Sequence, residues 1–256
     1  MMSVSQKIVM TGSTGFIGSA LSLFLLQSGY EVIPVTRLDL AKGKAHLINL
    51  MEGCAGVINL AGAPVSRRWT RKSMKEIEDS RLRTTALLAE AILQTRQPPR
   101  VFVSASAVGI YPDTGAHDES SRDRAGGFLG ELCIQWEAAA GIAAGVCRIA
   151  TIRIGLVLGR DGGLMQKLLP VFRLGLGGEL GTGNQEMPFI HIHDLVRAMV
   201  LILEKETMQG PVNLVAPHTC SNSEFTRELA KRLRRPAWMA VPSFALRMAY
   251  GKAASA

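Results

Sequence analysis

The sequence predicts an α/β protein: a doubly wound parallel sheet followed by a small C-terminal lobe. Three observations carry that reading. Short, near-continuous apolar runs alternate with stretches of helical periodicity through the first half of the chain. A glycine-rich turn, with Gly12, Gly15 and Gly18, joins the first apolar run to the first helical stretch. After Gly155 the alternation gives way to glycine-rich, interrupted segments. Strands apolar on both faces suit a parallel sheet, whose crossover helices cover both sides.

The elements follow in order. Residues 7–11 form the first strand, and residues 16–28 carry apolar side chains at helical spacing. Residues 31–36 are the second strand; residues 56–60, flanked by Gly53 and Gly62, are the third. The spacing predicts a long helix over 70–95, with Thr70 as its N-cap. Its buried stripe is Ile77, Leu82, Thr85, Leu88, Ala89 and Ile92. Pro98-Pro99 precedes a fourth strand at 101–104. A helix over 128–140 and a fifth strand over 147–154 complete the alternation. Gly159, Gly162 and Gly163 then precede a helix over 164–174, and 175–183 is a glycine-rich loop. Residues 189–192 read as a strand, and a helix follows to about 205 with Asp194 as its N-cap. Residues 212–215 are a short strand; Ser221 caps a helix over 221–233, with Glu224 completing a capping box. Two units are therefore expected: residues 1–155, carrying the sheet, and residues 156–256, a smaller lobe packed on it.

Composition excludes several classes. A chain of 256 residues can bury about three-quarters of its unfolded surface, so it needs no staples. Leu, Val, Ile and Ala recur throughout and low-complexity tracts are absent, which excludes disorder as the main state. Apolar stretches such as 138–146 and 195–203 are too short, or too interrupted by charge, to span a bilayer. Residues 1–7 run into the first strand without an apolar signal core. Cys54, Cys133, Cys147 and Cys220 form no CxxC pair and read as buried free thiols with no metal site. Both observations point to an intracellular, reducing compartment, the cytoplasm foremost.

The 29 basic and 21 acidic residues give a formal charge of +8, which permits an acidic partner. The basic residues gather in two places: Arg67, Arg68, Arg71, Lys72 and Lys75, then Lys231, Arg232, Arg234 and Arg235. No aromatic platform is interleaved with either group, so both read as solvated helix faces and not as a nucleic-acid surface. The expected partners are a small-molecule substrate of unassigned identity and a second copy in a homodimer, with no nucleic acid and no membrane.

Thr11-Gly12-Ser13-Thr14-Gly15-Phe16-Ile17-Gly18 lies between the first strand and the first helix, the context a dinucleotide fingerprint requires. Gly12 would permit the tight turn, Gly15 the approach of a pyrophosphate, and Gly18 close packing of the helix on the sheet. The helix N-terminus offers free amides and a partial positive charge to phosphates. The second strand ends in Val35-Thr36-Arg37. A carboxylate there would bind ribose hydroxyls; an arginine suits a 2′-phosphate instead, and Thr36 adds a hydroxyl. Asp39 falls two residues too late for the ribose role. These residues select NADP(H) over NAD.

Further segments resemble one superfamily. The glycine motif, with Asn59-Leu60-Ala61-Gly62 after the third strand, resembles the extended, epimerase-like branch of the short-chain dehydrogenases/reductases. Ser104-Ala105-Ser106-Ala107-Val108-Gly109-Ile110-Tyr111 is similar to that branch's Ser-Ser-x-x-x-Tyr segment, and Phe189-Ile190-His191-Ile192-His193-Asp194-Leu195 to its Phe-x-His-x-x-Asp segment. Arg68-Trp69-Thr70, Ser80-Arg81-Leu82, Trp136-Glu137-Ala138-Ala139 and Val157-Leu158-Gly159-Arg160 resemble the atypical "epimerase family protein" subgroup, NAD-dependent epimerase/dehydratase-like proteins regarded as NADP-dependent oxidoreductases. The resemblance implies a Rossmann-type fold: an NADP-binding first unit, with the C-terminal lobe on the substrate side. It implies that Thr36 and Arg37 take the adenosine 2′-phosphate and that Leu60 and Ala61 line the adenine side through backbone contacts, with Gly62 counted beside them as cofactor-binding. Glu76, Arg81 and Arg153 would contact the cofactor or frame its site. Arg153 also ends a buried strand, where a guanidinium needs an anionic partner.

The chain departs from the branch where chemistry is done. Counting back from Glu137 puts Leu129 and Cys133 at the positions of the usual Tyr-x-x-x-Lys pair. Leucine carries no proton, and a thiol is not a fixed cation. Ser106 keeps a hydroxyl where the family holds the substrate oxygen, and Tyr111 is the alternative acid. Met187 stands where sugar-nucleotide epimerases carry a diphosphate-binding arginine. The loop 177–184 either shapes a substrate mouth or is a hairpin connection. The subgroup continues past the point corresponding to Tyr250-Gly251, so the tail Lys252-Ala253-Ala254-Ser255-Ala256 reads as short. Two functions are expected: an NADP-dependent oxidoreductase or epimerase-like enzyme on a small hydroxyl or carbonyl substrate, or a catalytically silent NADP(H)-binding sensor or partner-binding protein.

Overall fold

The structure, a computed structural model, describes residues 6–242; the expectation about the C-terminal tail lies outside them. The first half of the chain runs β1 (Lys7–Thr11), α1 (Phe16–Gln27), β2 (Glu31–Val35), α2 (Arg37–Ala41), α3 (Lys44–Met51), β3 (Gly56–Asn59), α4 (Arg71–Ile92), β4 (Val101–Ala107), α5 (Gly127–Gly141) and β5 (Arg148–Ile154). The second half adds β6 (Leu156–Gly159), α6 (Gly163–Arg173), β7 (Glu186–Met187), β8 (Phe189–His191), α7 (Ile192–Glu204), β9 (Gly210–Leu214), β10 (Cys220–Ser221) and α8 (Asn222–Leu233). Among the described residues, no helix is long and apolar enough to cross a membrane.

Six strands form one all-parallel sheet in the order β2-β1-β3-β4-β5-β9. The chain steps outward from β1 to β2, then crosses back to β3 on the other side of β1. That reversal opens a crevice at the carboxyl ends of β1 and β3, where doubly wound sheets bind ligands. Strand side chains alternate between two cores. Ile8, Met10, Val103 and Ile152 face Leu21 and Leu25 of α1 and Leu195 and Met199 of α7. Val9, Val57 and Phe102 face Leu47, Leu88, Ile92 and Ala140 of α3, α4 and α5.

Residues beyond 155 do more than form a separate lobe. β9 extends the sheet alongside β5, and α7 packs on α1. Arg148 fixes α7 from below: its guanidinium donates to the carbonyls of Ile202 and Leu203 at 2.9 and 3.2 Å, and to that of Met208. A cation thereby meets the negative end of the helix. The remainder of this segment comprises the parallel β6–β8 ladder, the antiparallel β7–β10 pair, α6 and α8.

Several local expectations meet their physical tests. Thr70 caps α4 in a box with Ser73, and Ser221 caps α8 in a box with Glu224. Asp194 is not the cap of α7. His191 is, its Nδ1 accepting from the His193 amide at 3.3 Å, while Asp194 lies in the first turn. Residues 37–51, which carry no clear helical periodicity, form two short helices. Thr36 and Asp39 start the first with a reciprocal capping box. Cys54 and Cys133 are buried, but Cys147 and Cys220 are only half-buried, each near a strand end. The glycine loop links α6 to β7 and is not a strand-to-strand hairpin. It packs on residues 236–241: a Cβ on Gly178 would lie 2.1 Å from the Met239 carbonyl, so no other residue fits there. The first basic group is partly paired, Arg67 with Glu76 at 2.9 Å and Lys75 with Asp79 at 3.3 Å.

One buried amide ties the sheet to its helices. Asn59 ends β3, and its Oδ1 accepts from the Thr11 hydroxyl at 2.7 Å and from the Ala61 amide at 3.3 Å. Its Nδ2 donates to Thr85 Oγ1 on α4 at 2.7 Å, and the same oxygen accepts from Trp136 Nε1 on α5 at 2.8 Å. Asn59 and Thr85 are fully buried. Replacing Asn59 by leucine keeps a similar volume but leaves Thr11 and Ala61 without that acceptor. Leaving a buried polar group unpaired costs about 1–3 kcal/mol. Asn59→Leu should therefore lower the urea midpoint by a corresponding amount at an unchanged m value, measured by circular dichroism.

Candidate functional site

The crevice begins at the turn after β1. Gly12 has φ of 71°, and a Cβ there would lie 2.7 Å from the Leu60 carbonyl. The turns after β1 and β3 thus touch through a residue that must be glycine. Gly15 is the N-cap of α1 and supplies no side-chain cap; the first turn of α1 holds no acidic residue. A Cβ on Gly15 would meet only the Gly12 carbonyl, at 3.2 Å, so the space before the helix amides is otherwise clear. Ser13 is half-buried, whereas Thr14 and Gly15 form the exposed crest; Phe16 and Ile17 turn back into the core. Gly18 differs from the expectation in its physical reason. Its Cβ would lie 2.1 Å from the Gly12 carbonyl, so it lets α1 sit on the turn itself and not on the sheet. A clear helix N-terminus with no carboxylate fits a pyrophosphate.

The end of β2 holds two opposite charges with different fates. The Asp39 carboxylate accepts from the Thr36 hydroxyl at 2.6 Å and the Thr36 amide at 3.0 Å. It also receives Lys42 Nζ and His46 Nε2, each at 3.0 Å. These bonds, that of the Thr36 hydroxyl foremost, hold its pKa well below the usual carboxylate range. It has no capacity to spare for a ribose. Arg37 is exposed and has no ion-pair partner among the described residues. The Thr36 hydroxyl gives its proton to Asp39, so the unspent charge at this end is that of Arg37.

The loop after β3 is fastened from α4. Ser80 Oγ accepts from the Ala63 amide at 2.9 Å, and Arg81 Nη1 donates to the Ala63 carbonyl at 2.9 Å. The Arg81 guanidinium lies 5.0 Å from the Trp136 ring centroid and fills the space where a Cβ of Gly62 would be, 2.9 Å away. Leu60 and Ala61 keep their amides on Thr11 and Asn59, so the loop follows the crevice wall. Arg81 therefore positions this wall, and its burial lowers its pKa. Glu76 is exposed and engaged with Arg67.

A second polar cluster lies at the carboxyl ends of β4 and β5. Arg153 is 2% exposed, and the anionic partner its burial demands is Glu137 of α5. Nε and Nη2 donate to the two carboxylate oxygens, each at 2.8 Å, and Nη1 donates to the Tyr111 hydroxyl at 2.6 Å. All three guanidinium nitrogens are thus used inside the protein. The Tyr111 hydroxyl donates in turn to Asn213 Oδ1 at 2.8 Å, and the Ser106 hydroxyl donates to Glu137 Oε1 at 2.7 Å. Cys133 is buried beside Ile110 and Tyr111, and desolvation pushes its thiol pKa up to about 11. Leu129 is half-buried on the same helix. Every hydroxyl proton in this cluster is committed to a protein acceptor. Glu137, Asn213 and Asn59 carry no functional role in the sequence pattern, and Thr85 stands there only in the buried stripe of α4. The available signal for Glu137 was a carboxylate one residue after Trp136, in a helix with few other charges. Among the described residues, no group of His, Cys, Asp and Glu is placed to hold a metal.

A parallel sheet with a glycine-built phosphate cradle at its switch point defines a dinucleotide-fold protein. The chain belongs to the NAD dependent epimerase/dehydratase family, whose sequence model matches residues 8–215. Its relatives include the epimerase family protein SDR39U1 of Mus musculus, 40% identical over 97% of this chain and 88% of the relative. A chloroplastic homolog of SDR39U1 from Arabidopsis thaliana is 36% identical over 98% of this chain and 77% of its own length. A crystal structure of human SDR39U1 (isoform 2) with NADPH superposes with a TM-score of 0.89 at 37% identity, covering 96% of this chain and 86% of that one. UDP-glucuronic acid 4-epimerase from Bacillus cereus, at 21% identity and a TM-score of 0.77, covering 92% of this chain and 85% of that one, shares the fold.

The two glycines at the helix start separate binding from folding. Gly15→Val should remove dinucleotide binding by more than tenfold while the melting temperature stays near that of the parent, because only the phosphate space is filled. Gly18→Ala should instead destabilise the chain, since its Cβ meets backbone at 2.1 Å. Fluorescence titration with NADPH and thermal melts of both variants check this; a Gly15→Val protein that binds normally would move the phosphate site elsewhere.

Proposed function

We propose that the chain binds NADP(H) in the β1/β3 crevice and exchanges hydride with a small substrate carrying a hydroxyl or carbonyl. The observation that carries the cofactor choice is Arg37, a cation with no ion-pair partner among the described residues, beside an Asp39 already saturated by its own capping box. The NADPH held by the human relative supports the same choice. When bound, the cofactor supplies the hydride donor or acceptor. The chain supplies the rest. The amides of α1 bind the pyrophosphate, and Arg37 holds the 2′-phosphate. Arg81 keeps the loop over Leu60, Ala61 and Gly62 in place. Ser106 orients the substrate oxygen. The Ser106 hydroxyl is buried with its proton on Glu137, so it would meet a substrate only as an acceptor, which suits a hydroxyl better than a carbonyl.

The second reading, a catalytically silent NADP(H)-binding sensor or partner-binding protein, is favoured by three residues of the polar cluster. Leu129 has no proton, the Cys133 thiol is buried with a raised pKa, and the Tyr111 hydroxyl is bound on both sides by Arg153 and Asn213. General acid–base catalysis contributes roughly a hundred- to ten-thousandfold, and no group here is free to supply it.

NADPH should bind more tightly than NADH, and Arg37→Asp should abolish or reverse the preference. One charge-assisted contact to the 2′-phosphate is worth about 1.5–3 kcal/mol, or about ten- to a hundredfold. Calorimetric titration with both nucleotides checks this, and equal constants in the parent protein would overturn the assignment to Arg37. The same site should fail to epimerise UDP-glucose or UDP-galactose, because Met187 is buried with its sulfur accepting from Asn222 Nδ2 at 3.4 Å and offers a diphosphate no cation. Chromatography after incubation with bound NADP reads the outcome; ordinary turnover that Tyr111→Phe removes would show that Tyr111 does act as the acid.

A further inference from the structure

The β6–β8 ladder has two faces. Val157 and Ile190 point into the main core. Their strand neighbours Leu158 and His191 point the other way, as alternation requires, and line a cavity of about 390 Å³. The opposite walls are Met165 and Leu169 of α6 with Phe225 and Leu229 of α8. All five apolar side chains are half-buried and converge on one space. The volume lies within the range of small-molecule sites, roughly 300–1,000 Å³. The cavity is distinct from the dinucleotide crevice. The turn carrying Gly159 and Gly162 stands between them, packed so tightly on the Phe16 ring that a Cβ on Gly162 would lie 2.3 Å from it.

The polar groups of this cavity are not balanced. Arg160 and Arg232 line it, both are exposed, and neither has an ion-pair partner among the described residues. Glu228 is the acidic group on the wall, and its carboxylate lies 3.9 Å from Lys231. His191 uses Nδ1 to accept the His193 amide, which assigns its neutral-form proton to Nε2 as a further donor. Exposed arginines alone are ordinary surface. Here they stand at an apolar depression that water fills at a cost. A neutral apolar ligand would leave both guanidinium groups unused, and a nucleotide would put polar edges against five hydrocarbon walls. An amphipathic monocarboxylate satisfies both parts: its chain replaces water on the apolar walls, and its head meets planar cations suited to carboxylates.

We propose that this cavity binds an amphipathic monocarboxylate, with its chain against Met165, Leu169, Phe225 and Leu229 and its carboxylate at Arg160 and Arg232. The proposal does not depend on the cofactor assignment. The test is calorimetric titration of the full chain with sodium decanoate, below its micellar concentration, and with 1-decanol. Decanoate should bind at one site per chain, about tenfold or more tightly than the alcohol, the margin of one charge-assisted contact. Leu229→Trp, which fills the cavity, should abolish binding. The doubly substituted Arg160→Ala/Arg232→Ala, which alters only exposed side chains, should weaken decanoate about tenfold and leave decanol unchanged; circular dichroism melts confirm that each variant is folded. Equal affinity for the two ligands, no saturable binding, or undiminished decanoate binding in either folded variant would overturn the proposal.

Discussion

The arrangement of the crevice depends on one buried side chain, Asn59. Its amide is the point at which β1, β3, α4 and α5 are joined by polar contacts out of reach of water. In that environment the geometry is not negotiable: each group must keep its partner or carry the full cost of desolvation. The consequences run outward. Thr11 and Asn59 hold the two strand ends level, which brings the Gly12 turn against the Leu60 carbonyl. Thr85 sets the height of α4, and α4 carries Ser80 and Arg81 to the loop after β3. The wall of the nucleotide crevice is thus set from the core, not by the loop itself.

The Arg153–Glu137 pair shows a different logic. Burying two charges costs more than a surface pair returns, and such pairs often add no net stability over well-packed apolar residues. This pair instead engages the two hydroxyls of the cluster. Glu137 takes the Ser106 hydroxyl, and Arg153 occupies the Tyr111 oxygen from one side while Asn213 accepts its proton. Two hydroxyls, Ser106 read from sequence as holding the substrate oxygen and Tyr111 as the alternative acid, become fixed acceptors or internal links. Leu129 and Cys133, which the resemblance sets at the positions of the Tyr-x-x-x-Lys pair, add no free acid to the cluster: one has no proton and the other is a buried thiol with a raised pKa.

The charges at the other end of the crevice obey local rules. Asp39 and Arg37 are two residues apart, yet one is locked by a capping box and the other projects free of any ion pair among the described residues. The separation is produced by a five-residue helix whose only strong signal is the capping box at its start, Thr36 with Asp39. Of the two neighbouring charges the helix cap consumes Asp39 and leaves Arg37, on which the proposed preference for a 2′-phosphate rests.

The sequence by itself determined the features that depend on neighbours along the chain. Apolar alternation specified the parallel sheet and its two cores, glycine spacing specified the β1–α1 turn, and the Thr70 and Ser221 caps were legible because capping acts over three residues. Residues 44–51 and the cap at His191 were not, since a short helix with weak periodicity takes its form from what it packs against; the helix at 37–41 buries nothing and rests on its Thr36/Asp39 box alone. The site divided in the same way. Gly12, Gly15, Gly18 and Arg37 stand in one βαβ stretch and could be read from spacing. The partners of Arg153, Tyr111 and Ser106 lie 16, 102 and 31 residues away in sequence. Such contacts are decided only when helix α5 and strand β9 dock beside β5. Whether a buried hydroxyl can give up its proton depends on which acceptor the fold places within about 3 Å of it, and no local pattern records that.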